Sequence, residues 1–220
     1  MKENEKVLAI RLRKRGLPYG SIRERVGVSK STLSLWLRDI DLSQNQKEKV
    51  LRGRELSRQI AAQKKRNARL SKTHETIERG RKEFPALIRN HLFLSGLSLY
   101  WAEGDKHKQE KVKFTNSDAA MIALMMRWFR EVCGVPESKF RIALHIHNLH
   151  MARNTEAYWR KITRIPKQQF QKTFIKESSL RHRRNILYKG TCAIVVNSKD
   201  LFRKIMGWKL GLLDYFSIPQ

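Results

Sequence analysis

The chain has 220 residues, of which 47 are Lys or Arg and 20 are Asp or Glu, so its formal net charge is +27. Hydrophobic residues make up 40% of the chain, which is enough for a buried core and excludes an intrinsically disordered protein. So large an excess of positive charge indicates a polyanionic partner, most commonly a nucleic acid backbone.

The positive charge is spread along the chain. Residues 1–40 carry a net charge of +6, residues 41–83 of +7 and residues 84–220 of +14. A disordered basic arm would concentrate its charge at one end, so this distribution favours a long footprint on DNA. The alternative is a basic protein without a specific ligand, such as a ribosome-associated or membrane-surface protein.

Other features place the protein inside the cell. Cys133 and Cys192 lie in apolar contexts, which favours reduced core thiols over a zinc site. Residues 1–6 lead into a charged helix rather than a signal peptide, and no apolar run approaches the roughly 18 residues of a membrane span. We therefore expect a cytoplasmic, nucleoid-associated protein.

Residues 1–40 predict a compact three-helix module. Leu8, Leu12 and Leu17 recur at helical spacing, and Gly16 ends the first helix. The second helix is predicted over residues 18–25, with a proline in its first turn.

The third predicted helix covers residues 30–38. Gly27 supplies the turn before it, and Ser29 is suited to its N-cap. Three side chains at helical spacing, Leu33, Trp36 and Leu37, should face inward. The residues that should point outward are Lys30, Ser31, Thr32, Ser34, Leu35 and Arg38.

This pattern resembles the small helix-turn-helix modules at the ends of resolvases and transposases. The resemblance implies that the third helix enters the DNA major groove, with bases contacted by Lys30, Ser31, Thr32, Ser34 and Arg38. An ordinary three-helix bundle without a DNA role is the alternative.

Residues 41–83 predict a basic helical linker. They are rich in good helix formers, contain no proline, and have few apolar side chains. We expect one or two exposed helices, and two alternatives remain open: a rod that lies along DNA, or a solvated connector.

Residues 84–220 predict an α+β domain. Pro85 suits the first turn of a nearly continuous apolar helix over residues 86–102, with small residues on one stripe and an end at Gly104. Strands are predicted over residues 111–115, 139–147, 170–175 and 190–197, and helices over residues 119–133, 155–163 and 199–207. The sheet should be antiparallel or mixed.

The segment Gly96-Leu97-Ser98-Leu99-Tyr100-Trp101-Ala102-Glu103-Gly104 resembles the signature helix of the LAGLIDADG homing endonucleases. Ser98 falls where that family has its first glycine, Glu103 on its penultimate acid and Gly104 on its last glycine. The resemblance extends over roughly residues 87–213 and implies an αββαββα domain.

The resemblance also implies an activity. Two such helices pack side by side in the family, and each brings one acid to a metal site at the scissile phosphates. Because this chain has a single such helix, it implies a homodimer through residues 87–102, with Glu103 of each copy as Mg²⁺ or Mn²⁺ ligand. Lys189 is the candidate lysine that assists catalysis, followed by Lys176.

Further basic residues are candidate DNA contacts. We expect a curved sheet to track the duplex, with a phosphate clamp in the basic run at residues 181–184. The candidates in this domain are Lys111, Lys113, Arg141, Arg181, Arg183 and Arg184.

A rival metal pair, His145 and His147, lies on one predicted strand but lacks the further ligands of a complete site.

The resemblance of the helix that ends at Glu103 and the basic charge together predict a site-specific DNA endonuclease of homing type. A non-catalytic transcriptional regulator built on the same fold is the alternative, because bacterial regulators are known that keep this fold, lose cleavage and add a helix-turn-helix.

Overall fold

The computed structural model describes residues 2–105, 110–147, 154–176 and 189–219. The chain forms two compact units, Met1–Ser71 and Lys72–Gln220. No helix within the described ranges is long and apolar enough to cross a membrane.

The N-terminal unit begins with three short helices: α1 (Glu3–Lys14), α2 (Tyr19–Val26) and α3 (Lys30–Leu37). Gly16 and Gly27 have φ values of 79° and 71°, a left-handed conformation that glycine adopts without steric cost, and each follows a helix. The helix and turn predictions for this segment are confirmed. Leu8, however, is largely exposed, and Ala9 takes the inward position.

The core of these helices is small. Within the described chain it contains six buried side chains: Ala9, Leu12, Ile22, Val28, Leu33 and Leu37. Trp36 is half-buried against the cluster, as its spacing predicted.

Helix α4 (Gln44–Leu87) occupies most of the predicted linker as one helix. Its start has a reciprocal cap: the Gln46 side chain accepts from the Ser43 N–H at 2.8 Å, and the Gln46 N–H donates to the Ser43 hydroxyl. Gln46 also donates to the carbonyl of Lys14 at the end of α1. Residues 54–72 are exposed throughout, in agreement with their polar composition.

The predicted helix start at Pro85 is wrong. Pro85 lies inside α4, which continues to Leu87, and the apolar helix α5 (His91–Glu103) begins only after Asn90. The Asn90 side chain accepts from the N–H of Phe93 at 2.9 Å and so caps α5. The homodimer contact expected through this helix would therefore involve residues 91–103 rather than 87–102.

The remaining elements of the C-terminal unit form an α+β fold, as predicted. They are β1 (Val112–Asn116), α6 (Ala119–Glu131), β2 (Phe140–His147), α7 (Thr155–Thr163), β3 (Phe174–Lys176), β4 (Thr191–Val196) and α8 (Lys199–Tyr215). Strand β3 is shorter than predicted, and α8 extends eight residues further.

The sheet is mixed, with the order β1-β4-β2-β3. Strand β4 pairs antiparallel with β1 and β2, whereas β3 pairs parallel with β2. One sheet face carries large apolar side chains that pack on the helices, among them Phe114, Ile142 and Ile194. Ala193 and Val195 on the opposite face are also buried but lie outside that core cluster.

Two helices of the C-terminal unit cross closely at glycines. A Cβ on Gly80 of α4 would lie 2.4 Å from the Lys204 carbonyl oxygen, and one on Gly207 of α8 would lie 2.1 Å from that of Ile77. Arg81 of α4 forms a two-pronged ion pair with Asp214 of α8. Residues 72–87 of α4 are therefore part of the C-terminal core.

Both cysteines are free thiols: Cys192 is buried in the core, and Cys133 is half-buried and packs against it. Burial raises the pKa of Cys192 to about 12 and raises that of Cys133 further. Both side chains are therefore protonated at neutral pH, as the prediction of core thiols requires.

Candidate nucleic-acid interface

Helix α3 presents one continuous exposed stripe. Four of its outward side chains recur three or four residues apart: Lys30, Ser34 and Arg38 on one row, with Ser31 beside them. Leu35 is 61% exposed on the same stripe, so it offers an apolar contact of the kind a thymine methyl group accepts.

The start of α3 is fixed by its cap. The Ser29 hydroxyl accepts from the N–H of Thr32 at 3.1 Å and lies 2.8 Å from the Thr32 hydroxyl. Thr32 is half-buried and lies off the exposed stripe, so its hydroxyl serves the cap. Arg38 is highly exposed and forms a loose ion pair with its neighbour Asp39, which leaves its guanidinium accessible.

In the C-terminal unit, the sheet register brings the predicted cations together. Lys113 of β1 and Arg141 of β2 are both paired with Val195 of β4, so the two cations flank the same central residue. Their backbones lie roughly 10 Å apart, because neighbouring strands are about 4.8 Å apart. Lys111 precedes β1 with the same parity as Lys113 and is half-buried.

A fourth cation at this end of the sheet is Lys139, which the sequence reasoning missed. It directly precedes β2 and has the same strand parity as Arg141, which is the signal that could have revealed it. Lys139 and Asn197 line one cavity, and Lys111 and Asn197 line a neighbouring one. The Arg141 guanidinium donates to the carbonyls of Ser138 and Phe140, so it is held in place.

Glu103 is the last residue of α5, and its side chain is exposed. Gly104 then turns the chain onto the sheet: it forms an antiparallel bridge with Phe114, and the Asp105 N–H donates to the Lys113 carbonyl. A Cβ at Gly104 would lie 2.3 Å from the Tyr100 carbonyl oxygen, so only glycine fits there. The acid therefore has a fixed position at the junction of α5 and the sheet.

The small residues of α5 fall on two different faces. Gly96 is buried, and a Cβ there would lie 2.1 Å from the Trp128 ring of α6. Ser95, Ser98 and Ala102 are exposed and recur at helical spacing. The predicted single stripe is thus divided: Gly96 serves packing within the chain, while the other three form an outward stripe.

Lys189 and Glu103 are not brought together within one chain. The Lys189 ammonium lies 5.4 Å from the centre of the Tyr158 ring, and its carbonyl accepts from the indole N–H of Trp159. Gly104 pairs through Phe114 with Ile194, five residues beyond Lys189. At about 3.3 Å per residue and 4.8 Å per strand, roughly 15–20 Å separates the backbones of Gly104 and Lys189.

The described residues contain no group of three side chains that could hold a metal ion. His145 is half-buried, with its ring 5.6 Å from that of Phe174. Lys176 ends β3. The predicted clamp residues Arg181, Arg183 and Arg184 lie outside the described residues.

One ion pair anchors Glu110, two residues before β1 begins. Arg203 of α8 is almost fully buried and donates to both carboxylate oxygens of Glu110, at 2.8 and 2.9 Å. Hydrogen bonding to Glu110 raises the pKa of Arg203. This contact fixes the chain immediately before Lys111.

Neither the protein-family models, nor the curated proteins, nor the solved structures include a match to this chain.

Proposed function

We propose that this chain binds double-stranded DNA at specific sequences through two surfaces, and that it acts as a homodimeric, metal-dependent site-specific endonuclease of homing type. The observation that carries the proposal is the exposed polar stripe of α3, presented by a glycine turn and a serine cap. A helix so presented can insert into a major groove about 12 Å wide.

The sheet supplies the second surface. Lys113 and Arg141 lie on opposite sides of β4, at a spacing close to the width of a major groove. Lys111 and Lys139 precede β1 and β2 and add two cations at that end of the strands. Flanking cations of this kind suit the two phosphate backbones that border a groove. Two residues further along the same strands, the polar Thr115 and the small Ala143 flank Ala193 of β4 and leave room for base edges on this face.

The element order of the C-terminal unit supports the homing-endonuclease reading. When the bridge at Gly104 is counted as a first strand, α5 is followed by two strands, α6, two longer strands and α8. Helix α7 and strand β3 then form an insertion between β2 and β4. The proposed architecture is therefore αββαββα with one insertion.

Glu103 is the proposed metal ligand. Its carboxylate is exposed, and carboxylate oxygen suits Mg²⁺ or Mn²⁺. Among the described residues of one chain we assign Glu103 alone as a ligand, so the proposed site needs Glu103 from two copies. A divalent cation bound there would supply Lewis-acid activation of water beside the scissile phosphate.

The outward stripe of α5 is the proposed dimer contact. Ser95, Ser98 and Ala102 allow two helix backbones to approach closely, and Trp101 beside them is 36% exposed. We expect Ser98→Phe to give a monomer that loses affinity for its site, by light scattering and DNA binding. The matched control is Ala123→Phe on the exposed face of α6. A wild-type monomer, both free and on DNA, contradicts this part of the proposal.

The second candidate function is a non-catalytic DNA-binding regulator. The separation between Glu103 and Lys189 favours it, because the lysine proposed to assist catalysis does not lie beside the acid of its own chain. Both candidates share the DNA-binding surfaces, so binding measurements do not separate them.

Incubation with a library of random duplexes and Mg²⁺ or Mn²⁺, followed by sequencing of both bound and cut molecules, tests the proposal. The endonuclease predicts double-strand breaks at a defined sequence, lost in Glu103→Gln with binding retained. Enrichment of a sequence without breaks supports the regulator. Binding without any sequence enrichment contradicts both.

A further inference from the structure

The N-terminal unit contains a basic groove that shares only Lys30 with the exposed stripe of α3. It has a volume of about 580 Å³ and lies between the start of α2, the first residue of α3 and one face of α4. Four of its lining side chains are cations, and none is an acid: Arg23, Lys30, Arg54 and Arg58.

We propose that this groove binds consecutive phosphates of the DNA backbone, so that α4 is a third DNA-contacting element beside α3 and the sheet. The inference rests on the proposed DNA binding and assigns a role to Arg54 and Arg58 of α4.

The charge of the groove is not neutralised by acids. Within the described residues none of the four groove cations forms a salt bridge, and no acid lines the groove beside them. Arg13 lies within electrostatic range of Arg54: burial lowers the pKa of Arg13, the charge of Tyr19 opposes that shift, and the charge of Arg54 adds to it. Uncompensated cations that converge on one groove are costly unless an anion neutralises them.

The first backbone N–H groups of α2 also favour a phosphate ligand. Helix α2 begins after Pro18, whose side chain provides no cap, so its first N–H groups need an external acceptor. Gly20 has open space around the position of a Cβ, which leaves these donors accessible. Phosphate oxygens are well suited to such a helix start.

The groove is held at a fixed width by a close contact between α4 and the start of α2. A Cβ on Gly53 would lie 3.3 Å from the Pro18 ring. Arg54 follows Gly53 directly, and Arg54 and Arg58 line the groove together with Arg23.

Duplex DNA is favoured over a small phosphate compound because the groove continues into the recognition surface. Lys30 lines the groove and also begins the exposed stripe of α3. Phosphates in the groove would therefore border the same major groove that α3 enters, as backbone contacts do when they set the register of a recognition helix.

The test compares the full-length chain with Arg54→Gln/Arg58→Gln and with a matched control, Lys2→Gln/Lys6→Gln, which removes two exposed charges at the start of α1. Affinity for the selected duplex and for an unrelated duplex is measured from low to moderate salt. Circular dichroism establishes that each variant retains its helices. The groove variant should flatten the salt slope by about 2, because each phosphate contact contributes about 0.9.

We expect that variant to lose affinity by a similar factor on both duplexes, roughly 10-fold to 100-fold at low salt. The control should change the slope by less than half as much. If the wild type binds and the groove variant has an unchanged slope, the groove inference fails while the proposed function stands. A selective loss of affinity for the selected duplex also overturns it, since backbone contacts carry no direct sequence information.

If the wild type binds neither duplex, the proposed function fails and the groove inference fails with it. A calorimetric titration with inorganic triphosphate is the second arm. Binding of triphosphate that depends on Arg54 and Arg58, together with an unchanged salt slope on DNA, would assign the groove to a small anion and overturn the DNA assignment.

Discussion

The N-terminal unit buries six side chains in its three-helix core, whereas the main core of the C-terminal unit contains 23 buried residues within the described ranges. The small core is built from neighbouring helices, and its exposed surface carries the proposed recognition residues. The large core is rich in aromatic rings and joins segments far apart in sequence, such as Phe84, Trp128 and Trp208. The difference in core size indicates that the three-helix core is the less stable of the two on its own.

The largest expected effect is on the stability of the C-terminal unit. Trp128 is fully buried, stacks near Tyr100 and donates its indole N–H to the Phe93 carbonyl. Trp128→Ala should lower the free energy of unfolding of the C-terminal unit by about 3–5 kcal/mol. Hydrogen exchange should accelerate in α5 and α6 and stay unchanged in α1–α3. Equal acceleration in both units would contradict two independently stable cores.

A smaller loss is expected at the buried ion pair. Arg203→Met leaves the Glu110 carboxylate without its main partner, and because Glu110 is about a quarter exposed we expect a cost of about 1–3 kcal/mol. The double variant Arg203→Met/Glu110→Gln should recover part of that loss in a denaturant titration. A double variant less stable than the single one would show that the pair does not act as a unit.

In the N-terminal unit, a substitution of Gly27 in the turn before α3 should be limited by the backbone conformation of that residue rather than by contact with neighbouring atoms. A Cβ at Gly27 meets no atom within 4 Å, but its φ is 71°. Gly27→Ala should therefore cost about 1 kcal/mol, and Gly27→Asn less, because asparagine tolerates this region better. Thermal unfolding of the N-terminal unit measures both. Equal stability of all three proteins would mean that the turn is not under this constraint.

The smallest effect concerns an exposed ion pair of the C-terminal unit. Arg130 holds the pKa of Glu137 below its usual range by a two-pronged hydrogen bond. The stabilisation is present at neutral pH and is lost as the pH falls through the lowered folded pKa. Because Glu137 is largely exposed, Glu137→Gln should cost less than about 1 kcal/mol at pH 7. Denaturant midpoints of variant and wild type should converge toward pH 3, and a gap that persists there would assign the effect to packing.

The two units also differ in how much the sequence could predict. The turns, the Ser29 cap and the inward face of α3 are local signals, and all three were confirmed. The start of α5 was misplaced, because proline is typical of the first turn of a helix. Helix α4 instead continues through Pro85 to Leu87, and the buried Phe84 ring beside Pro85 packs in the core of the C-terminal unit.

Contacts between residues far apart in the sequence could not be predicted from local sequence patterns. The approach of Gly80 to Gly207 joins positions more than a hundred residues apart, and Arg203 finds Glu110 across 93 residues. The role of Gly96 was only partly predicted: a small residue was expected to permit close packing, but its partner is Trp128 of the same chain. Periodicity fixes which face a residue occupies, and it does not identify the neighbour on that face.

Hydroxyl-radical footprinting on the duplex selected from the random library tests the central claim of two DNA-binding surfaces most directly. The wild type should protect two adjacent stretches of DNA. Lys30→Ala/Arg38→Ala should remove protection of one stretch, and Lys113→Ala/Arg141→Ala that of the other, each leaving the second stretch detectable at higher protein concentration. A single protected stretch that both variants weaken equally would contradict the account.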